Sequence, residues 1–191
     1  MHPSNLLRGK QLKLTALTPD DLPILARWYQ DSEFLRLYDS RPAFPKAQAE
    51  LGRWLEEVQK DKGSFSFGIR LLDSEELLGY LELDGIDWQH GVCGLAIGIG
   101  DRGDRGQGHG FEAVQLALEF AFHELNLHRV QVTVFSYNAP SQALFSRLGF
   151  KREGAYREFL QRDGQRHDMF LYGILRHEWQ VQRDTNPSNC P

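Results

Sequence analysis

Residues 94–114 read Gly-Leu-Ala-Ile-Gly-Ile-Gly-Asp-Arg-Gly-Asp-Arg-Gly-Gln-Gly-His-Gly-Phe-Glu-Ala-Val, so an apolar run leads through a turn of glycines and charges into a second apolar pattern. That pattern has the spacing of a helix, with Val114, Ala117, Leu118, Ala121 and Leu125 as its apolar members. Glycine lets backbone N–H groups approach a ligand closely, and a helix start carries unpaired N–H groups and partial positive charge. The stretch therefore predicts a strand and a long helix joined by a turn suited to a phosphate or pyrophosphate.

Two other phosphate-binding motifs fit this turn less well. The sequence contains no Gly-x-x-x-x-Gly-Lys-Ser/Thr, the motif of a P-loop. Gly98, Gly100 and Gly103 do spell Gly-x-Gly-x-x-Gly, but in a dinucleotide-binding fold that fingerprint opens the helix directly and the next strand ends in an acid. Here the helix begins several residues later, and residues 135–138 (Phe-Ser-Tyr-Asn) contain no acid. A flexible loop without a ligand is the remaining, plainer alternative.

The turn resembles the cofactor signature of the GNAT acetyltransferases. Residues 105–110 (Arg-Gly-Gln-Gly-His-Gly) fit Gln/Arg-x-x-Gly-x-Gly/Ala, which in that family grips the pyrophosphate of acetyl-CoA. Over residues 8–178 the chain also resembles the ribosomal-protein N-acetyltransferase (Rim-type) branch. The segments that carry this resemblance are 12–15 (Leu-Lys-Leu-Thr), 18–21 (Thr-Pro-Asp-Asp), 111–113 (Phe-Glu-Ala), 127–130 (Leu-His-Arg-Val), 138–141 (Asn-Ala-Pro-Ser) and 148–154 (Leu-Gly-Phe-Lys-Arg-Glu-Gly).

The resemblance implies acetyl-CoA as cosubstrate and a set of residues that bind it. These residues are Ile97, Gly98, Ile99, Arg105, Gly106, Gln107, Gly108, His109, Gly110, Asn138, Ser141 and Phe145. It also implies that the sheet splays between strands 92–99 and 129–135, with the pantetheine arm in the gap against the backbone of residues 95–99. Small residues at 94, 96 and 98 would leave room for the arm, although close packing against a helix would explain them too.

The composition is that of a globular domain. The chain has 191 residues, 41% hydrophobic and 25% charged, enough for one domain with a sizeable core. No apolar run approaches the ~18 residues of a membrane span and the start lacks a signal-peptide core, so we expect no membrane partner. A net charge of −4 disfavours nucleic acid as a partner. Cys93 and Cys190 lie far apart in sequence, which indicates no disulfide framework and favours a reducing cytoplasm.

The remaining periodicities predict an α/β (α+β) fold built on a mixed sheet, in one domain over residues 8–180. Strands are expected at 11–17, 64–72, 76–87, 92–99, 129–135 and in a last hairpin of 158–160 with 167–175; helices are expected from Thr18, at 31–38, 46–60 and 139–148, and up to Leu125. The resemblance refines this to the GNAT-like acyl-CoA N-acyltransferase fold, a splayed sheet flanked by helices. Residues 181–191 are polar with two prolines and are expected to form a disordered tail.

Acetyl transfer to an amine requires a neutral nitrogen, so a general base is expected. Glu82 and Asp84 share one face of their predicted strand because they are two residues apart, and Asp87 follows at its end. A solvated strand face or turn would equally explain each acid. Glu112 falls in the first turn of the long helix, where its charge suits the helix dipole and a structural role is the simpler explanation.

The thiolate that leaves CoA needs a proton donor. Many GNAT enzymes carry a tyrosine seven residues after the Asn of the Asn-Ala-Pro-Ser motif, and here that residue is Phe145, which has no hydroxyl. Ser141 lies three residues after Asn138, where Rim-type enzymes carry a serine able to meet the CoA sulfur. Capping of the helix N-terminus explains Ser141 equally well. By resemblance Asn138 bonds the pantetheine; a simple turn residue is its alternative role.

No metal site is predicted, because His123 and His128 are five residues apart and point to different sides of a helix. His167-Asp168 is more typical of a packed or solvated pair than of a catalytic dyad. The sequence thus predicts an acetyl-CoA-dependent N-acetyltransferase that acts on a primary amine, either a protein or peptide N-terminus or a small amine such as a polyamine or aminoglycoside. An acyl-CoA sensor without turnover is the alternative from another class. The oligomeric state is left open, with a homodimer as one option.

Overall fold

The computed structural model describes residues 5–185 as a mixed sheet covered by helices on both faces. Within this range the sheet has seven strands in the order β1-β2-β3-β4-β5-β7-β6. The strands are β1 (Leu12–Ala16), β2 (Phe65–Leu71), β3 (Leu77–Asp87), β4 (Val92–Ile99), β5 (Arg129–Phe135), β6 (Lys151–Arg162) and β7 (Gln165–Leu175). All neighbouring strands are antiparallel except β4 and β5, which are parallel.

Six α-helices accompany this sheet in the described part of the chain. They are α1 (Leu22–Trp28), α2 (Ser32–Tyr38), α3 (Gln48–Lys60), α4 (His109–Glu119), α5 (Ala139–Arg147) and α6 (Arg176–Thr185). The helix α4 continues as a wider π-helical turn over Phe120–Glu124, so the predicted long helix is present to its expected end. Short 3₁₀ turns at Pro19–Asp21 and Arg102–Asp104 precede α1 and α4.

The alternation of side chains along β3 separates two hydrophobic cores. Leu81 and Leu83 are fully buried with Val114 and Leu118 of α4, whereas Tyr80 is buried with the cluster formed by α1, α2 and α3. Because successive side chains of a strand point to opposite faces, α4 and the first three helices cover opposite sides of the sheet. Glu82 and Asp84 have the same parity as Tyr80 and therefore face the side of α1–α3.

The sheet splays at its one parallel pair. The strands β4 and β5 pair only from Val92 with Arg129 to Gly94 with Gln131. Beyond that point β4 stays paired with β3, and β5 stays paired with β7. The far halves of β4 and β5 therefore diverge and leave a gap between them. This geometry confirms the splayed mixed α/β sheet that the resemblance implied.

The C-terminal part of the fold differs from the sequence expectation. Strand β6 begins at Lys151 rather than at 158, and the helix α6 was not predicted. Most of β6 is exposed at the sheet edge, so it lacks an apolar alternation, and the buried residue of α6 is Trp179, which packs on Phe122. Residues 181–185 of the predicted tail are helical, and the rest of that tail, with Cys190, lies outside the described residues. Within the described range, Cys93 is a buried free thiol, and no helix is both long enough and apolar enough to cross a membrane.

Candidate active site

A cavity of about 270 Å³ occupies the gap between β4 and β5. Its walls come from Leu95 to Ile97 on β4, Val132 to Phe135 on β5 and the start of α5, with Phe159 and Met169 from the last hairpin. The end of α2 and the residues after it cover the cavity. Of the predicted site residues, Ile97, Asn138, Ser141 and Phe145 meet here.

The glycine-rich turn leads directly into the N-terminus of α4. Gly106 (φ 76°) and Gly108 (φ 92°) adopt left-handed backbone conformations that other residues adopt only with strain. The first intrahelical bond runs from the Glu112 N–H to the Gly108 carbonyl, 3.1 Å apart. The amides of His109 and Gly110 precede that bond and have no partner within the helix. The turn thus presents backbone donors at the positive end of a helix, which is a setting suited to a pyrophosphate.

Side chains of the signature hold this turn in shape. Arg105 donates to the Ile99 carbonyl at 3.2 Å and to the Gly100 carbonyl at 2.7 Å, so it ties the end of β4 to the turn. The Gln107 side-chain amide donates to the Gly103 carbonyl, and the buried ring of His109 contacts the Asp104 carbonyl through Nδ1 at 3.2 Å. The side chains therefore hold the turn in shape, and its backbone amides remain available for a ligand.

Ser141 has a hydroxyl available to the cavity. The cap of α5 is Asn138, whose Oδ1 accepts the Ser141 N–H at 3.2 Å, so the alternative that Ser141 caps the helix is wrong. The Ser141 hydroxyl makes no hydrogen bond to any described residue, although it lines the cavity. Phe145 lies one turn further along α5, 1% exposed, with its ring edge-on to Phe150. It forms part of the cavity wall and supplies no proton.

Glu82 lies beside the cavity rather than in its wall. The residues that line the cavity in the described part of the chain do not include Glu82 or Asp84. The Tyr38 hydroxyl donates to Glu82 Oε2 at 2.9 Å, and the Ser66 hydroxyl donates to Oε1 at 3.1 Å. Burial raises the pKa of Glu82, and these two hydrogen bonds offset only part of that rise. Glu82 is thus a half-buried carboxylate with a raised pKa, linked to the cavity through one tyrosine.

The other candidate acids have distinct roles. Asp84 is an exposed residue, but its carboxylate packs over Gly94, and the loss of hydration there raises its pKa. Asp87 accepts the amides of the turn that follows it, at 3.0 and 3.1 Å, so it is a turn residue. Glu112 accepts the amide of Gln11 at 2.9 Å, which agrees with the expected structural role.

The discounted histidines make contacts that fit structural roles. The ring of His167 packs edge-on against Tyr137, 5.0 Å away, and Asp168 accepts the Glu158 amide at 2.8 Å. His123 lies 3.5 Å from the buried Glu119. Among residues 5–185 no three His, Cys, Asp or Glu side chains are grouped to hold a metal ion.

The small residues at the end of β4 allow helices to pack closely against the strand, in addition to leaving room for a ligand. A Cβ on Gly98 would lie 3.0 Å from both Phe34 and Tyr38, so α2 sits directly against the strand there. At Gly100 a Cβ would overlap the ring of Trp28. Close packing against helices, the alternative explanation for these residues, therefore holds at Gly98.

The cover of the cavity was not visible in the sequence. Arg162 holds residues 39–41 in place: its Nη2 donates to the carbonyls of Asp39, Ser40 and Arg41 at 3.2, 3.1 and 2.9 Å. Tyr137 donates to the Arg36 carbonyl at 2.7 Å. The bonded residues are more than 100 positions apart, so no local pattern signals them.

Known proteins define the family to which this geometry belongs. Residues 11–151 match the profile of the acetyltransferase (GNAT) domain, and the chain belongs to that family. It is 32% identical over 173 residues to the SPbeta prophage-derived uncharacterized N-acetyltransferase YokL of Bacillus subtilis, with 91% of this chain and 94% of that protein covered. The protein is therefore an N-acetyltransferase with acetyl-CoA as its cosubstrate, as the sequence predicted.

Other relatives differ in their acceptors. The chain is 29% identical to the ribosomal protein uS5-alanine N-acetyltransferase of Escherichia coli over 162 residues, which covers 81% of this chain and 82% of that one. Its fold matches spermidine N-acetyltransferase from Vibrio cholerae, solved with CoA and spermine, with a TM-score of 0.82 at 24% identity over 90% of this chain and 99% of that chain. The GNAT assignment is confirmed, whereas the Rim-type branch stays a prediction because both kinds of relative are present.

Proposed function

We propose that this protein acetylates the α-amine of a protein or peptide N-terminus by direct attack on the thioester of acetyl-CoA. The observation that carries the acceptor class is the pairing of the acids around the cavity cover. Asp39 pairs with Arg41, Glu33 with Arg102 and Arg105, and Asp163 with Arg36. Carboxylates already neutralised by arginine offer little to a polycation, whereas Glu82 and Asp84 suffice for one ammonium group.

The proposal places acetyl-CoA along the turn and the gap. The amides of residues 106–110 would bind its pyrophosphate, with Arg105 holding the turn. The backbone of residues 97–99 and the side chain of Asn138 would hold the pantetheine arm, with Phe145 as part of the wall. Acetyl-CoA supplies the electrophilic thioester carbonyl at the cavity.

Two residues would move protons at this site. Glu82 would act as the base, because its pKa is raised toward that of an amine and its carboxylate reaches the cavity through Tyr38. Asp84 lies two residues along the same face, and its negative charge would favour binding of the acceptor amine in its ammonium form. Ser141 would donate a proton to the departing thiolate, since its hydroxyl is not used by the fold. An α-amine, with a pKa near ~8, is easier to deprotonate than a lysine-like amine near ~10.4 by roughly 3 kcal/mol.

A competition experiment tests the acceptor class. An unblocked peptide without lysine, an N-terminally blocked peptide with one lysine, and spermidine are mixed at equal concentrations with the protein and acetyl-CoA. Mass spectrometry then reports the initial rate of each acetylated product. We expect the unblocked peptide to be acetylated fastest. Faster acetylation of spermidine would favour the polyamine reading and would leave the acetyl-CoA assignment untouched.

A further inference from the structure

Each carboxylate oxygen of Glu82 accepts a hydrogen bond from a residue that lines a different space. Its Oε2 accepts from Tyr38 at 2.9 Å, and Tyr38 lines the cavity that also contains Ser141. Its Oε1 accepts from Ser66 at 3.1 Å. Ser66 lines a different space, an open groove of about 410 Å³ between α3 and the strands β1 and β2.

This groove is connected to Glu82 through Ser66, which lines the groove and bonds the carboxylate. Its walls are largely apolar, with Leu17, Leu55 and Val58 among them, and Ser64 and Ser66 lie on its strand side. The two serines are two residues apart on the same segment, but only Ser66 is bonded to Glu82. The Ser64 hydroxyl is buried and has no partner among the described residues. The pair therefore offers one serine in contact with the carboxylate and one matched serine without that contact.

We propose that Tyr38, Glu82 and Ser66 form a proton path that leads from the acceptor amine to solvent in the groove. Tyr38 is the catalytic residue of this path because its side chain lines the cavity and its hydroxyl is bonded to Glu82. Ser66 is a positioning and relay residue that acts through Glu82. The proposal rests on acetyl transfer with Glu82 as base. It adds that the proton leaves by a route the acceptor does not occupy, so the acceptor and acetyl-CoA can fill the cavity throughout the reaction.

The steps exchange only N–H and O–H bonds. The ammonium nitrogen gives a proton to the Tyr38 oxygen while Tyr38 gives its own proton to Glu82 Oε2, which leaves a neutral amine and a carboxylic acid. A half-turn of the carboxyl group exchanges its two oxygens and presents the proton to Ser66. Ser66 accepts it and releases its own proton to water or a buffer base in the groove. Glu82 is again a carboxylate, and no electron pair is lost or gained.

The groups that face Glu82 set the pH range in which this path operates. They come from each element packed around the carboxylate: Tyr29 just after α1, Tyr38 on α2, Lys46 ahead of α3, Ser66 on β2, Tyr80 and Asp84 on β3 and the uncharged Ala96 on β4. Burial holds the pKa of Tyr38 well above its ordinary value, so its hydroxyl stays protonated at neutral pH and relays a proton without becoming a stable phenolate.

Three variants test the path: Ser66→Ala, Ser66→Thr and the matched control Ser64→Ala. Initial rates are measured across pH with saturating acetyl-CoA, in water and in deuterium oxide, and with increasing imidazole. On the pH-independent plateau we expect Ser66→Ala to lower kcat by roughly tenfold or more, and imidazole, which can enter the groove, to restore part of the loss. Ser66→Thr keeps a hydroxyl and should retain most activity. Ser64→Ala should match the parent.

A purely hydrogen-bonding role for Ser66 gives a different result. Loss of that bond would shift the acidic limb of the pH profile upward and leave the plateau rate, the solvent isotope effect and the imidazole response unchanged. Such a result would overturn the path. Tyr38→Phe gives a second check at the cavity end of the path. We expect it to lower the plateau rate, and we expect imidazole to restore less of that rate than it does in Ser66→Ala. If spermidine proves the better acceptor, the same measurements are made with spermidine, so failure of the acceptor proposal does not mask failure of the path.

Discussion

Ser141 is set apart from Ser146, the other serine of its helix, by its environment. Its hydroxyl faces the cavity and is not needed for the cap, which Asn138 provides. We expect Ser141→Ala to lower kcat on the order of 10²-fold with little change in the Kd of acetyl-CoA, since backbone groups would hold most of the cofactor. Steady-state kinetics and calorimetry measure the two quantities. Ser146→Ala, at an exposed position of the same helix, is the control, and equal rates for Ser141→Ala and the parent would remove this residue from the mechanism.

Glu82 makes the activity depend on pH in a direction that can be derived. A base must be ionised, so activity is lost as pH falls through the pKa of Glu82, and burial places that pKa above the ordinary value near ~4.3. The charge of Asp84 raises the pKa of Glu82 and that of Lys46 lowers it. We therefore expect Asp84→Asn to move the acidic limb to lower pH and Lys46→Met to move it to higher pH.

The measurement for Glu82 is kcat/KM against pH for each variant. Glu82→Gln should remove the limb and most of the activity. Limbs that shift in the same direction in Asp84→Asn and Lys46→Met would contradict the assignment of this limb to Glu82.

The junction between the glycine-rich turn and α4 depends on one backbone conformation. Gly108 caps α4 with φ 92°, where a side chain costs about 1–2 kcal/mol and a β-branched one is an outlier. We expect Gly108→Val to re-orient the amides at the helix start and to weaken acetyl-CoA binding by tenfold or more, a loss of about 1.4 kcal/mol. Calorimetry gives the affinity. Gly103→Val is the matched control, because its backbone needs no positive φ and a Cβ there meets open space; undiminished affinity in Gly108→Val would refute the role of the turn.

Local patterns predicted the elements that build the cofactor side and the helix α2 that covers the cavity, but not the long-range contacts that close the acceptor side. Strands β4 and β5 have the bounds that their apolar alternation predicts, and the turn before α4 is marked by its glycines. Strand β6 and helix α6 were under-predicted because an exposed edge strand and a helix with one buried residue carry little hydrophobic signal. The link between Tyr38 and Glu82 spans 44 positions, and that of Arg162 with residues 39–41 spans more than 120. Such pairs arise only when the sheet brings the elements together.

The sheet consists of two halves, β1–β4 and β5–β7, that diverge at the cavity. Contacts of α2 with the second half connect them again across the cavity. The halves share backbone pairing only at the near ends of β4 and β5. On the other side of the gap, three contacts tie the end of α2 to the second half. The Tyr137 hydroxyl donates to the Arg36 carbonyl, and the side-chain amide of Asn138 donates to the Leu37 carbonyl at 3.3 Å. The third contact is an ion pair of Arg36 with Asp163. Acceptor binding therefore takes place under a cover that depends on contacts between the halves.

Arg162 joins residues 39–41 of this cover to the β6–β7 hairpin, so its loss should loosen that part of the cover without affecting the cofactor side. In Arg162→Met three carbonyls lose their donor, and opening of that segment should become easier by about 1–2 kcal/mol. We expect amide hydrogen exchange in residues 38–43 to accelerate by on the order of tenfold, the KM of the acceptor to rise, and the Kd of acetyl-CoA to stay the same. Arg166→Met, at an exposed position of the same hairpin, should change none of these. Unchanged exchange in residues 38–43, measured by mass spectrometry with amides of β3 as reference, would show that the cover is held by its own packing and not by Arg162.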